Sequence, residues 1–263
     1  MLLVLLAVAL LISSIGFRQY VWFFSIGYGF SVMGIGVTLL VVYGSHMTVL
    51  SLLTSVLLIV YGVRLGGYLL LREIKSDSYH RKINPELKTG QEISFWAKCA
   101  IWIPVSLLYL CQTCPLVFRQ WSSGGEDDVL FLIGTCISVV GLLIEALADH
   151  QKTVAKRRNP QRFVDTGLYR LVRCPNYFGE LLFWTGIFAG GIGIYQGAGQ
   201  WLLAILGYLG IVYVMFSGAR RLERRQNRTY GHDAAYRAYH DKTPILLPFL
   251  PLYSVLSWRW FVA

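Results

Sequence analysis

The chain has 263 residues, of which 55% are hydrophobic and 14% charged, with a formal net charge of +10. A soluble domain carries roughly a quarter charged residues, so this composition, with a mean hydropathy of +0.52, excludes an ordinary soluble fold. It does not point to nucleic acid: the basic residues follow a membrane-topology pattern, and anionic headgroups attract such charge.

Taken in chain order, the first apolar run is Leu2–Ile15. It has no basic stretch before it and no small-residue cleavage pattern, and reads as a retained helix rather than a signal peptide. Val21–Tyr43, Val49–Leu71, Phe95–Val117, Val129–Ala148 and Trp201–Ser217 reach or approach the ~20 residues that cross ~30 Å of hydrocarbon. Tyr177–Tyr195 is a further run, shortened in effect by Glu180 near its start. The runs are continuous rather than alternating, which favours helices over a barrel. The expectation is an all-α, polytopic bundle of six or seven transmembrane helices forming a single membrane domain over residues 1–263. Within it, 1–48 hold the N-terminal spans and 49–251 the core, and 252–263 form an interfacial tail in which Trp258 and Trp260 flank Arg259.

Basic residues gather in alternate connections. Arg72, Lys75, Arg81, Lys82, Lys88 and Lys98 share a predicted side with Lys152–Arg173 and with the run from Arg220 to Lys242. The opposite side holds Arg119 beside Glu126, Asp127 and Asp128. The bias places the C-terminal tail in the cytoplasm and the N-terminus outside, for a multi-pass protein of a bacterial inner membrane or the endoplasmic reticulum. Three segments are too long for simple turns: 72–98, with turn signals at Asn84-Pro85 and Lys88-Thr89-Gly90, then 149–175 and 219–251. All three fall on the predicted cytoplasmic side, where a site is expected.

Several constellations carry chemistry. Asp165 to Glu180 contains Tyr169, Arg170 and Arg173, then Pro175, which opens a helix whose first turn bears Asn176, Tyr177 and Glu180. Two Arg beside a helix N-terminus suit a pyrophosphate; a juxtamembrane basic loop before a capped helix accounts for the same residues. Glu145 and Asp149 share a helix face, with Lys152 and Lys156 beyond them, as an interfacial salt-bridge ladder or a wall of a polar cavity. Tyr61, Arg64 and Tyr68 stack on one face of a span. Arg64 either snorkels to the interface or faces inward beside a Tyr able to give a proton to a bound carbonyl. In the tail, Glu223 lies among Arg220, Arg221, Arg224 and Arg225 and is expected to pair with one of them. Tyr236 and Tyr239 share a face beyond it, suited to stacking on a base or anchoring at the interface. His232 reads as a surface residue, and Cys111 and Cys114, a CxxC without a second pair, read as buried apolar cysteines, so no metal site is expected. There is no GxGxxG, hence no soluble-type Rossmann domain.

Leu168-Tyr169-Arg170, Arg173-Cys174-Pro175-Asn176-Tyr177-Phe178-Gly179-Glu180 and the tail residues Glu223, Tyr230-Gly231, Asp233, Tyr236 and Tyr239 resemble the DUF1295 membrane proteins. These group with the steroid 5-alpha-reductase and sterol-reductase superfamily, whose Tyr/Arg/Tyr helix face is similar to Tyr61, Arg64 and Tyr68. The resemblance implies a membrane reductase with a cytoplasmic cofactor-binding face, using NADPH to reduce an enone-type C=C bond in a lipid-like substrate that enters from the bilayer. It implies that Asp149, Arg170, Arg173, Asn176, Tyr177 and Glu180 line the cofactor site, together with Glu145, Lys156 and Tyr169. Arg221, Glu223, Tyr236 and Tyr239 close it. Tyr61, with Arg64 and Tyr68, is the implied catalytic group. Two positions depart from the pattern. Cys174 stands where the motif has His, and no Asp or Glu precedes Glu73, where steroid reductases place an acidic residue on an earlier helix. A methyltransferase of the isoprenylcysteine type, using S-adenosylmethionine, and a non-catalytic lipid-binding scaffold are the alternatives.

Overall fold

The computed structural model describes residues 1–75, 93–122 and 127–261. The turn signals at Asn84-Pro85 and Lys88-Thr89-Gly90, and the residues Arg81, Lys82 and Glu126, lie outside them. Among the described residues there are helices and turns and no strand. The α-helices are α1 (Leu2–Ser13), α2 (Ile26–Tyr43), α3 (Val49–Lys75), α4 (Phe95–Trp121), α5 (Val129–Arg158), α6 (Pro175–Gly191), α7 (Gly197–Tyr230) and α8 (Ala234–Lys242). Six of these, α2 to α7, are long and apolar enough to cross a membrane, whereas α1 is shorter. The all-α, polytopic expectation is therefore met.

Helix ends differ from the apolar runs in physically simple ways. A 3-10 turn at Tyr20–Phe24 precedes α2. Helix α5 runs to Arg158, ten residues past Ala148, and its last turn carries Lys156, Arg157 and Arg158, which complement the negative end of the helix dipole. Helix α7 likewise continues through the Arg-rich stretch to Tyr230, stopping next to Gly231. Hydropathy marks the bilayer; backbone hydrogen bonding carries the helix beyond it. Asp233 then caps α8 by accepting from the Ala235 N–H at 2.8 Å. The segment after α8 is turns and extended chain, so Trp258 and Trp260 do not form an eighth span.

The chain divides into two compact units, Met1–Thr135 with Ile187–Tyr208, and Cys136–Gly186 with Leu209–Ala263. The first is organised by the α2–α3 crossing. A Cβ placed on Gly62 would stand 2.4 Å from the Gly29 carbonyl oxygen, and one on Gly29 would stand 2.6 Å from the Gly66 nitrogen. In a membrane, where water expulsion does not drive helices together, such close backbone packing supplies the dispersion energy of association. One rim of the unit carries a buried ion pair. Arg119, 1% exposed, donates to the Gly190 carbonyl from Nε (3.1 Å) and Nη2 (2.7 Å) and pairs with Asp128 at 2.6 Å. Asp128 also accepts from the Phe131 N–H at 2.7 Å. Burial pushes its carboxyl up, but the Arg119 and backbone hydrogen bonds outweigh this and hold it below the ordinary value. Cys111 and Cys114 are buried, free thiols, as the sequence indicates.

In the second unit α5 and α6 cross equally closely. A Cβ on Gly141 would fall 2.4 Å from the Phe183 nitrogen, and one on Gly179 would fall 2.7 Å from the Glu145 nitrogen. Ser138 Oγ donates to the Phe183 carbonyl at 2.9 Å in the same crossing.

Candidate functional site

All the residues expected to hold a cofactor belong to the second unit, whereas Tyr61, Arg64 and Tyr68 belong to the first. The second unit's centre is Arg173, which is 1% exposed although it sits in a polar connection between helices. A single 3-10 turn, Gly167–Arg170, ends just before it. That turn starts with Gly167 at φ +63°, and the Gln151 side chain accepts the next N–H, from Leu168, at 2.9 Å. The break in helical geometry separates the two arginines. Arg170 stays exposed while Arg173 turns inward.

Inside, the Arg173 guanidinium donates from Nη2 to Glu223 Oε1 at 2.9 Å, from Nη2 to the Tyr253 carbonyl, and from Nε to the Thr243 carbonyl at 3.2 Å. Its backbone N–H bonds the Pro244 carbonyl, and that of Cys174 bonds the Ile245 carbonyl, both at 2.9 Å. Glu223, 1% exposed, accepts from the Val255 N–H at 3.0 Å and faces His240 Nε2 at 2.9 Å. The expected pairing of Glu223 with a neighbouring Arg of its own helix is thus replaced by partners from three other segments. A buried ion pair repays its desolvation only when its remaining polar atoms are satisfied. Here one is met only weakly: Nη1 of Arg173 is buried without a hydrogen bond of ordinary length, and the Tyr236 hydroxyl is the further side chain that interacts with the guanidinium.

Around this pair lies an aromatic wall. Phe163 stacks on Tyr239 with ring centroids 5.4 Å apart and meets Tyr236 edge-on at 5.4 Å. The Tyr239 hydroxyl donates to the Tyr169 carbonyl (2.7 Å), and that of Tyr236 to Asn227 Oδ1 (2.6 Å). Burial pushes the Tyr236 hydroxyl up to about 12. Lys156 Nζ donates to the Tyr230 hydroxyl at 2.8 Å and to the Arg162 carbonyl at 2.5 Å, tying the end of α5 to that of α7. As read from the sequence, Pro175 opens α6, so Asn176, Tyr177 and Glu180 occupy its first turn and a half. Asn176 and Tyr177 are half-buried, and Glu180 and Glu145 are buried. Arg221 and Arg225 lie within electrostatic reach of Tyr177, and Arg173 and Lys152 within reach of Cys174, whose thiol burial pushes up to about 12. Asp149 and Tyr239 are half-buried, and Arg221 is exposed. Sequence reasoning missed His240, whose only signal was its position four residues after Tyr236 on the same face of α8. It also missed the acceptors of segment 243–255, which are backbone carbonyls and leave no trace in residue type.

In the first unit Tyr61 is fully buried and donates to the Tyr28 hydroxyl at 2.9 Å. The Tyr28 ring packs 5.0 Å from that of Tyr109, whose hydroxyl donates to the Phe23 carbonyl at 2.5 Å. Arg64 and Tyr68 are half-buried one and two turns further along α3, and Tyr68 carries the Arg72 guanidinium over its ring at 5.9 Å. No cluster of His, Cys, Asp and Glu able to hold a metal occurs among the described residues.

Residues 14–243 match the family model described as protein of unknown function (DUF1295). The chain belongs to this family. It is 24% identical over 162 residues to the steroid 5-alpha-reductase DET2 of Arabidopsis thaliana, covering 56% of each chain. It is 26% identical over 142 residues to the Gossypium hirsutum protein of the same name, covering 50% of each. To the 3-oxo-5-alpha-steroid 4-dehydrogenase 1 of Rattus norvegicus it is 27% identical over 138 residues, covering 50% of this chain and 47% of the relative. The chain thus spans about half the length of the curated relatives it matches. No solved structure matches significantly. The resemblance read from the motif around Pro175 is borne out.

Proposed function

We propose that this DUF1295 protein is a membrane oxidoreductase that uses NADPH to reduce an enone-type C=C bond in a lipid-like substrate. The observation that carries the reading is the buried Arg173, held by Glu223 and two backbone carbonyls. Arg173 lies two residues before the N-terminus of α6, and with the exposed Arg170 and Arg221 of the same unit it offers the positive charge that a phosphate-bearing cofactor requires. Asn176 offers a donor and an acceptor of the kind a nicotinamide carboxamide requires, and the half-buried Tyr239, backed by Phe163, offers a ring edge to a base.

When bound, NADPH supplies the hydride that adds to the β-carbon of the enone. The chain's own task is to polarise the carbonyl and supply a proton to its oxygen, giving an enol whose tautomerisation places hydrogen on the α-carbon. We assign this to Tyr61. Its proton points to Tyr28 in the structure, and hydroxyl protons rotate to suit their partners. Turned to a substrate carbonyl, the Tyr61 oxygen is left to accept from Tyr28, which then backs up the donor as enolate charge develops. The apolar surroundings of the pair exclude water and strengthen that hydrogen bond. The C-terminal tail, in this reading, faces the cytoplasm together with the cofactor.

The test is binding of NADPH and of S-adenosylmethionine to detergent-purified protein, wild type and Asn176→Ala. NADPH binding that weakens at least tenfold in the variant is the expected result. Binding of the methyl donor alone overturns the reading in favour of a methyltransferase, and binding of neither overturns it in favour of a scaffold.

A further inference from the structure

Gln112 lies in α4, nine residues before the helix ends at Trp121, or about 14 Å along its axis. It is 4% exposed, and neither its amide oxygen nor its amide nitrogen has a hydrogen-bond partner. A glutamine side chain is too short to reach the helix end from that depth, so both ends of the amide are held inside the protein. Leaving a buried amide unpaired destabilises the fold, and an apolar side chain of similar volume would avoid that cost.

The backbone around Gln112 is open as well. Pro115 has no N–H to give the Cys111 carbonyl its helical hydrogen bond, and the described substitute is the weak thiol contact from Cys114 at 3.1 Å. The neighbouring Gly207 brings α7 so close that a Cβ there would stand 2.4 Å from the Cys111 carbonyl oxygen. One helical turn before Gln112 is Tyr109, in ring contact with Tyr28, the hydrogen-bond partner of Tyr61. Helical side chains lean toward the helix N-terminus, which for Gln112 is the direction of this tyrosine layer.

A polar substrate group fits what is left over. The unpartnered atoms are one acceptor and one donor, the complement of a hydroxyl group, which donates to the first and accepts from the second. We propose that Gln112 is a specificity-determining residue that hydrogen-bonds a hydroxyl of the lipid-like substrate at a point distinct from the carbonyl held by Tyr61. The inference rests on the reductase reading for the identity of that substrate, but not for the pairing of amide and hydroxyl.

The experiment measures equilibrium binding of two probes to purified wild type and to Gln112→Leu. One is a 4-en-3-one steroid carrying a single hydroxyl on the ring farthest from the enone; the other is the same steroid without it. Wild type is expected to prefer the hydroxylated probe by about tenfold, the worth of one neutral hydrogen-bond exchange. Gln112→Leu is expected to lose that preference, to bind the deoxy probe as wild type does, and to melt at or above the wild-type temperature. A preference that survives in Gln112→Leu overturns the proposal, as does no preference in wild type or a lowered melting temperature with binding unchanged, the mark of a merely structural side chain. NADPH-dependent reduction of the probes separates the two readings. Selective binding without reduction sinks the reductase and leaves Gln112; reduction without selectivity does the reverse; no binding of either probe sinks both.

Discussion

The two units handle buried polarity in opposite ways. The second buries full charges, Arg173 against Glu223, and surrounds them with His240 and the backbone of segment 243–255. The first pairs Arg119 with Asp128 at its rim and joins neutral hydroxyls, with a buried amide, in its interior. Under the proposed function, the difference matches what each would do. Charges pulled from water fix a structure firmly because removing one partner strands the other, which suits a cradle for an anion. Neutral donors cost less to bury and can change partners, which suits a site that must release one hydrogen bond to make another.

The largest expected effect breaks the charged side of this contrast. Arg173→Ala leaves Glu223 buried beside His240 and is expected to cost about 3–5 kcal/mol in denaturant unfolding of detergent-purified protein. The double variant Arg173→Met with Glu223→Leu is expected to recover most of that stability but none of the NADPH binding. Recovery of both would sink the assigned role of the guanidinium. In the first unit, Tyr61→Phe keeps the ring and removes the proton. Turnover is expected to fall by roughly a hundredfold or more, with only about 1 kcal/mol lost in stability. Gly62→Val forces a Cβ toward the Gly29 carbonyl and is expected to cost about 1–3 kcal/mol, read as a lower melting temperature.

The smallest effect is a pH dependence confined to the second unit. The hydrogen bond to Glu223 raises the His240 imidazole above its ordinary value of 6.5, against the opposing effect of burial and with help from Asp241. A raised value means that the folded state binds the proton more tightly than the unfolded state does. The contribution is therefore complete below about 6.5 and is lost as pH rises through the higher folded value. Melting temperature should fall modestly across that window in wild type, and the fall should flatten in His240→Gln. An equal slope in both proteins would remove His240 as its source.

Local patterns in the sequence announced the spans, the helix opened by Pro175 and the stacked face of Tyr61, Arg64 and Tyr68, because each depends on periodicity or on one residue's conformational limits. Pairings set by distant chain were not legible. Arg173 and Glu223 stand fifty residues apart, and Glu223 has arginines beside it that look like nearer partners. Tyr28 and Gln112 were equally silent. Neither belongs to a motif, and each is set apart by what it meets, or fails to meet, in the folded chain. Helix lengths were underread for a related reason, since α5 and α7 outlast the apolar runs that reveal them.

The Arg173 knot has a consequence for how the protein is made. Each described acceptor of its guanidinium is synthesised later than Arg173 itself, the last of them, Tyr253, eighty residues on. At about 5–20 residues per second, the ribosome takes roughly 4–16 s to deliver that final partner. During this interval the arginine has to wait in water or at the headgroups, since burying it unpaired is too costly. Closure of the second unit is thus timed by translation. A nascent chain stalled before residue 223 would lack every described acceptor of that guanidinium.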